Sequence, residues 1–276
     1  MSHRYLPPEA PPAPPVEPEH AIDEAGGTPA QHHELATVDT TVFAGVRERA
    51  AAILARYPQP RSALLPLLHL VQHVEGHVSR AGIAFCAETL EITTAEVSAV
   101  ATFYTMYKRA PTGQHLVSVC TNTLCAALGG DDIYRAVGEQ LGEPGAPLGH
   151  EKTFGEPGET GSITLEHAEC LAACDLAPVL TVNYEFYDRQ SVETATALVD
   201  ALRRGEKPAP TRGAPLTDFR SIELLLAGFF DDPVVGGLEA VAGPSAADES
   251  LRGARLAEER GWTAPAMPDS EGEARP

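Results

Sequence analysis

Two pairs of cysteines carry the chemistry this sequence offers, Cys120-Thr-Asn-Thr-Leu-Cys125 and Cys170-Leu-Ala-Ala-Cys174. Thiolates are soft donors, so four of them suit zinc or an iron-sulfur centre, and either pair alone could cycle between dithiol and disulfide. Structural zinc usually takes C-x₂₋₄-C pairs whose tight knuckles close around one ion. The spacings here are C-x₄-C and C-x₃-C, in loops wide enough for two irons, and one pair from each loop meets the two-cysteines-per-iron stoichiometry of a [2Fe-2S] core. Spacing alone leaves zinc open. A thioredoxin-type dithiol would normally show C-x-x-C, which neither pair has, and that reading stays as a third alternative. The fifth cysteine, Cys86, follows Phe85 in a helical run and reads as a small buried hydrophobe outside the ligand set.

The elements that must position these thiols are legible in the apolar spacing. From Thr41 to about Tyr107 the period is helical. Val42, Phe43, Val46, Ala50, Ile53 and Leu54 form one stripe that should stop before Tyr57-Pro58. Ser62 is placed to cap a second helix that ends near Gly76, a third spans Arg80 to Leu90, and Thr93-Thr94-Ala95-Glu96 offers a capping box to a fourth. After Pro111-Thr112-Gly113 the pattern changes to strands. Leu116 to Cys120, Ser162 to Glu166 and Val179 to Asn183 are strand candidates, and Phe186-Tyr187 continues a hairpin. Helices are expected from Asp131 or Asp132 to Leu141, and from a cap at Ser191 to Gly205, with a Gly- and Glu-rich loop between Gly142 and Ser162. Each cysteine pair then lies in a loop beside a strand end, the usual place for a cofactor in an α/β sheet.

Composition bounds the class. The net charge is −19, so the chain lacks the basic face that nucleic-acid binding needs, and no nucleic-acid partner is expected. No stretch approaches the roughly 18 apolar residues of a membrane span, and no signal-peptide or transit-peptide pattern opens the chain, so the sequence reads as cytoplasmic. In that compartment several cysteines read first as metal ligands or redox thiols. Residues 1–40 hold eight prolines, seven acids and one arginine, a composition expected to form a disordered acidic arm. Past Gly205 regularity is lost, apart from Ile222 to Phe230 and a short helix near Leu251 to Glu259.

The motifs around these cysteines resemble a known family, the 24-kDa subunit of respiratory complex I, NADH-quinone oxidoreductase, called the E subunit in bacteria. The resemblance is carried by Arg61-Ser-Ala-Leu-Leu-Pro66, Leu68-His-Leu-Val-Gln72, Val100-Ala-Thr-Phe-Tyr-Thr-Met-Tyr107, Val119-Cys-Thr-Asn122 and Glu169-Cys-Leu-Ala-Ala-Cys174, and covers about residues 41–203. It implies an α+β chain in which an N-terminal helical bundle (41–110) is followed by a thioredoxin-like α/β [2Fe-2S] ferredoxin domain (111–205). By composition, irregular tails flank them: the arm (1–40), and a C-terminal extension (206–276) that runs past the usual end of the family and whose Ile222 to Phe230 stretch reads as tail core or as a partner-docking segment. The resemblance implies one [2Fe-2S] cluster on Cys120, Cys125, Cys170 and Cys174, no catalytic residue on this chain, and FMN and NADH on a neighbouring subunit. The work implied is one-electron exchange within an NADH-oxidising module, beside that subunit and a further iron-sulfur subunit, peripheral on the cytoplasmic side of the bacterial plasma membrane. The same module occurs in NAD-linked hydrogenases and formate dehydrogenases, which keeps that alternative parent complex open beside the zinc-stabilised binding module. No Gly-x-Gly-x-x-Gly follows a strand, so NADH is not expected to bind here.

Several finer expectations attach to this frame. Glu169 and Asp175 flank the second pair and are placed to lower a cluster's potential. The family usually has Gly where Ala173 stands, so the backbone there must accommodate a Cβ. The Ala177-Pro178 bond is expected to be cis. His69, His73 and His77, four apart on one helix, read as a polar edge and not as a metal stripe, because no Cys or acid nearby completes a ligand set. Phe103, Tyr104 and Tyr107 read as core or partner interface.

Overall fold

The computed structural model describes residues 38–142, 144–145, 149–232 and 247–263; the expected acidic arm, except its last three residues, lies outside them. The first apolar stripe forms a 3-10 turn, Thr41–Val46, running into helix α1 (Arg47–Leu54), and stops before Tyr57-Pro58 as expected. Helix α2 (Leu64–Glu75) follows a 3-10 turn at Pro60–Ala63 that contains Ser62, and no side chain caps it. It ends at Gly76, whose φ of 75° takes the left-handed conformation that a Cβ disfavours. Helix α3 (Arg80–Leu90) is capped by Ser79, whose hydroxyl accepts from Gly82 N–H. Helix α4 (Thr94–Phe103) has the full Thr93/Glu96 capping box; the Thr93 backbone N–H and then its hydroxyl, with Arg61 adding its own bond, hold the Glu96 carboxyl down to about 2.

The sheet begins with β1 (His115–Cys120) and continues, after α5 (Thr123–Ala127) and α6 (Gly130–Leu141), with β2 (Glu151–Phe154), β3 (Ile163–Ala168), β4 (Leu180–Val182) and β5 (Glu185–Tyr187). Its order is β2-β3-β1-β4-β5, with β1 and β3 parallel and every other pairing antiparallel. Strand β2 and helix α5 were not foreseen. Helix α7 (Val192–Arg203) is capped by Ser191, whose hydroxyl accepts from Thr194 N–H.

Successive strand residues point to opposite faces, which divides the sheet chemically. Val117, Val119, Leu165 and Leu180 bury an apolar face with Ile133 and Val137 of α6 and Val199 and Leu202 of α7. Ser118 and Glu166, paired across β1 and β3, belong to the opposite, polar face. There the Lys108 ammonium bonds the Glu166 carboxylate and lies 3.1 Å from Glu151, while Ser118 Oγ donates to Glu166 Oε1 at 2.6 Å.

The helices ahead of the sheet share a second apolar core, built on Phe43, Ile53, Leu67, Leu68, Val71 and Phe85, into which Leu224 and Ala227 also insert. Leu224 comes from α8 (Phe219–Leu226), within the apolar stretch from Ile222, and α9 (Asp248–Glu259) is the short helix expected near Leu251 to Glu259. Glu223 of α8 is fully buried against α2 and takes 2.6 Å and 2.9 Å contacts from His69 Nδ1 and Gln72 Nε2. Tyr184 Oη donates to its other oxygen at 3.0 Å; burial first, then this carboxylate, pushes the Tyr184 hydroxyl well above its ordinary pKa. His69 is therefore a buried partner of Glu223 and does not lie on a polar edge. His73 meets the Arg220 carbonyl and His77 that of Glu75, so the three histidines do not converge on one ligand.

Removing this buried acceptor takes the carboxylate from three partners, and only the Met106 carbonyl is left for Gln72 and Tyr184. Glu223→Ala should cost about 1–3 kcal/mol, read as a lower urea midpoint, and Glu223→Gln should recover part of it.

Candidate metal centre

The first cysteine pair is built into regular structure. Cys120 ends β1; its N–H donates to the Val179 carbonyl at 3.2 Å, and the next N–H, from Thr121, donates to Ala168 O at 3.2 Å. Asn122 then turns the chain into α5, its Oδ1 accepting from Thr123 N–H at 3.0 Å, and Cys125 follows inside that helix. Both sulfur-bearing residues are buried, in a small apolar floor with Ala173, Leu176 and Val179. Gly130 closes this turn. A Cβ there would come within 2.5 Å of Cys120 O and 2.9 Å of Cys125 O, both backbone atoms that cannot swing aside.

The second pair is carried on an irregular loop after β3. Cys170 and Cys174 are both exposed, with their sulfurs 3.6 Å apart, and Ala172 N–H points at Cys170 Sγ at 3.4 Å. The left-handed residue of this loop is Ala172, at φ 57°. Ala173, where the resemblance expects Gly, has φ −117° and packs into the apolar floor, so its Cβ is accommodated at no backbone cost. The Ala177-Pro178 bond is cis, as expected.

The two loops meet because β1 and β3 are parallel and in register, with Cys120 opposite Ala168, two residues before Cys170. Asn122 Nδ2 of the first loop donates to Glu169 Oε2 of the second at 3.1 Å, clasping one to the other. The titration of the thiols carries the same proximity. Burial most of all pushes the Cys125 thiol up to about 11; the Val179 backbone opposes this, and Cys120 and Cys174 add to it. Cys174 is raised by its bond with Cys170, by that thiol's field, by burial and by the field of Cys120. Each loop thus feels the other's sulfur.

All five cysteines are free thiols, with no disulfide among them. Among the described residues no group of three or more His, Cys, Asp or Glu side chains is gathered around one ion position. The sulfurs stand as two pairs on two loops, a donor set that fits a two-iron centre with two cysteines per iron. Beside Cys170 a cavity of about 250 Å³ opens over the polar face of the sheet, lined among others by Ser118, Glu166, His167, Thr181 and Tyr184. Its hydroxyls and carboxylate suit water more than an apolar ligand. Asn122, Gly130 and the Ser118–Glu166–Lys108 set under this loop are site features that spacing did not single out; the consecutive Gly129-Gly130 after the first pair was the one local sign.

Residues 50–203, more than half of the chain, match the family described as thioredoxin-like [2Fe-2S] ferredoxin. The E subunit of the NADH-quinone oxidoreductase of Mycobacterium tuberculosis is 49% identical over 230 residues, covering 83% of this chain and 86% of that one. The protein of the same name from Rickettsia bellii is 36% identical over 157 residues, covering 56% of this chain and 89% of its own. Among solved structures, a NAD+-reducing [NiFe]-hydrogenase in the air-oxidized state aligns at 15% identity with a TM-score of 0.42, over 51% of this chain and 23% of that chain, too slight a likeness to carry an argument.

Two outcomes follow for the thiols and their turn. In the metal-free chain at pH 8, iodoacetamide followed by mass spectrometry should label the exposed Cys170 and, slowed by its raised thiol, Cys174, whereas Cys86, which burial pushes up to about 12, should stay unlabelled until the chain unfolds. Gly130→Ala should overpack the first turn at a cost of about 1–3 kcal/mol, measured by chemical denaturation.

Proposed function

The chain belongs to the thioredoxin-like [2Fe-2S] ferredoxin family, and from that premise we propose that it is the iron-sulfur E subunit of an NADH-quinone oxidoreductase, an electron-transfer component with Cys120, Cys125, Cys170 and Cys174 as the cluster ligands. The observation that carries the ligand set is the pairing of two cysteine loops at one end of the parallel β1–β3 pair. When bound, the cluster supplies one-electron redox chemistry. The chain's own residues do the rest. Cys120 and Cys125 give a ligand pair locked by strand, helix and an apolar floor that keeps water from their sulfurs. Cys170 and Cys174 give a pair that faces outward. Backbone N–H groups such as that of Ala172, which already points at Cys170 Sγ, donate to sulfur and offset the negative charge of four thiolates.

The domain reading is ours as well: helices from about residue 41 to 110 form a bundle, supported by their common apolar core, and the thioredoxin-like unit runs from 111 to 205. Hydride chemistry falls to an FMN- and NADH-binding partner, with a further iron-sulfur subunit beyond it. A face for such a partner is supported by Leu124 and Leu128, 44% and 55% exposed on either side of Cys125. Phe103, 77% exposed, is a second apolar contact, whereas Tyr107 is buried. Among the described residues no helix is long and apolar enough to cross a membrane. Attachment on the cytoplasmic side of the plasma membrane then runs through the partners of the complex.

The purified full-length chain should contain two irons, absorb in the visible and give an EPR signal on reduction. Serine at any of the four ligand positions should lower iron content and alter or abolish the signal, while Cys86→Ser should leave it intact. A colourless protein containing zinc would overturn the reading.

A further inference from the structure

The family match ends at residue 203, yet the chain's last described helix returns to the outer cysteine loop. Helix α9 packs against the 3-10 turn Cys174–Leu176, and Ala247, its N-cap residue, touches the apolar floor that includes Cys120 and Cys125. In its first turn Ser250 Oγ donates to Asp175 Oδ2 at 2.9 Å, next to Cys174. Glu249 pairs with the Arg189 guanidinium, and Arg189 is itself tied to the loop, its backbone N–H donating to Leu176 O at 2.9 Å. On its outer side this loop is otherwise exposed, with Ala172 in the left-handed region, so it has little of its own to hold its shape.

We propose that the first turn of α9 is part of the redox site, with Ser250 and Glu249 as positioning residues that hold the outer cysteine loop through Asp175 and Arg189. The inference rests on the cluster reading above. Its physical content is twofold. The Glu249–Arg189 pair and Ala247 limit how far the Cys174 turn can move from the Cys120–Cys125 floor. The Ser250 hydroxyl, together with the positive end of the helix, offsets the Asp175 charge beside Cys174. Reduction adds one negative charge at this place, so an Asp175 carboxylate stripped of its donor opposes reduction more strongly. Exposure screens the effect, which should be modest but specific to this pair of residues.

The test is EPR-monitored redox titration of the full chain. Ser250→Ala should lower the midpoint potential, Ser250→Thr should restore it and Asp175→Asn should raise it. In the Asp175→Asn background Ser250→Ala should then have no further effect. In parallel, Glu249→Arg should speed iron loss to a chelator several-fold, and the swap Arg189→Glu with Glu249→Arg should return it towards the parent rate. A Ser250→Ala potential equal to the parent's, a shift undiminished in the Asp175→Asn background, or an unchanged iron-loss rate in Glu249→Arg overturns the inference alone. A parent chain without an EPR signal on reduction overturns the cluster reading and the inference together.

Discussion

The site depends on one constraint, the parallel register of β1 and β3. Parallel neighbours send their chains out of the sheet at the same end, and the pairing of Cys120 with Ala168 sets the two exits side by side. A shift of β3 by one residue against β1 would turn Glu166 from the polar face into the apolar core, and Leu165 out of it. The register that buries the core is therefore the same one that brings the cysteine loops together. Asn122 bonding to Glu169 then fastens the loops at their tips, where sheet hydrogen bonds no longer reach.

Behind this sheet end lies a buried polar layer that a simple apolar sandwich would not have. Lys108, Glu151, Glu166 and Ser118 satisfy one another on the sheet's polar face, and Glu223 gathers His69, Gln72 and Tyr184. Burying carboxylates is costly unless they find donors, and here each named carboxylate has one. Such groups tolerate few alternative packings, so they set how the helices ahead of β1 meet the sheet. Two of the bonds bridge far-apart segments directly: Lys108 N–H to Gln72 Oε1 at 2.6 Å, and Gln72 Nε2 to Met106 O at 3.1 Å.

What was legible in the sequence follows from how far each signal reaches along the chain. Capping boxes act over three residues, so Thr93/Glu96 and Ser191 were visible, as were β1, β3 and β4, whose β-branched runs stand out from their flanks. Strand β2 escaped because Glu151-Lys152-Thr153-Phe154 is an edge, half-exposed along its length, with no apolar run to announce it. Ser62 was placed as a cap, but the chain enters α2 through a 3-10 turn whose residues already lie in helical space. His69 read as surface because its partner, Glu223, lies 154 residues away, beyond any spacing rule. The cysteine ligand set was legible as chemistry and as family pattern. The residues that shape it, Asn122, Gly130 and Ser250, act through space and left no periodic trace.

The two halves of the site differ in kind, and the difference assigns their work. One pair of thiols is buried in a strand end and a short helix, against whose backbone Gly130 of α6 packs too closely to accept a Cβ; the other is exposed on a loop with a left-handed alanine. A centre held on such unequal sides has one rigid ligand pair that fixes position and one accessible pair across which charge and solvent act. Substitutions on the rigid side should be felt first as lost folding stability. Substitutions on the accessible side change the electrostatics of the centre with little effect on the fold, because the residues there are bonded to one another at the surface and not packed into a core. The chain beyond residue 203 reaches both sides: α8 seals the helical core from behind with Leu224 and Glu223, and α9 lies against the outer loop. Among its described residues the extension meets the rigid half through Ala247 alone, while the Ser250 and Glu249 bonds fall on the accessible half, where they are placed to adjust potential without disturbing the scaffold that brings the four sulfurs together.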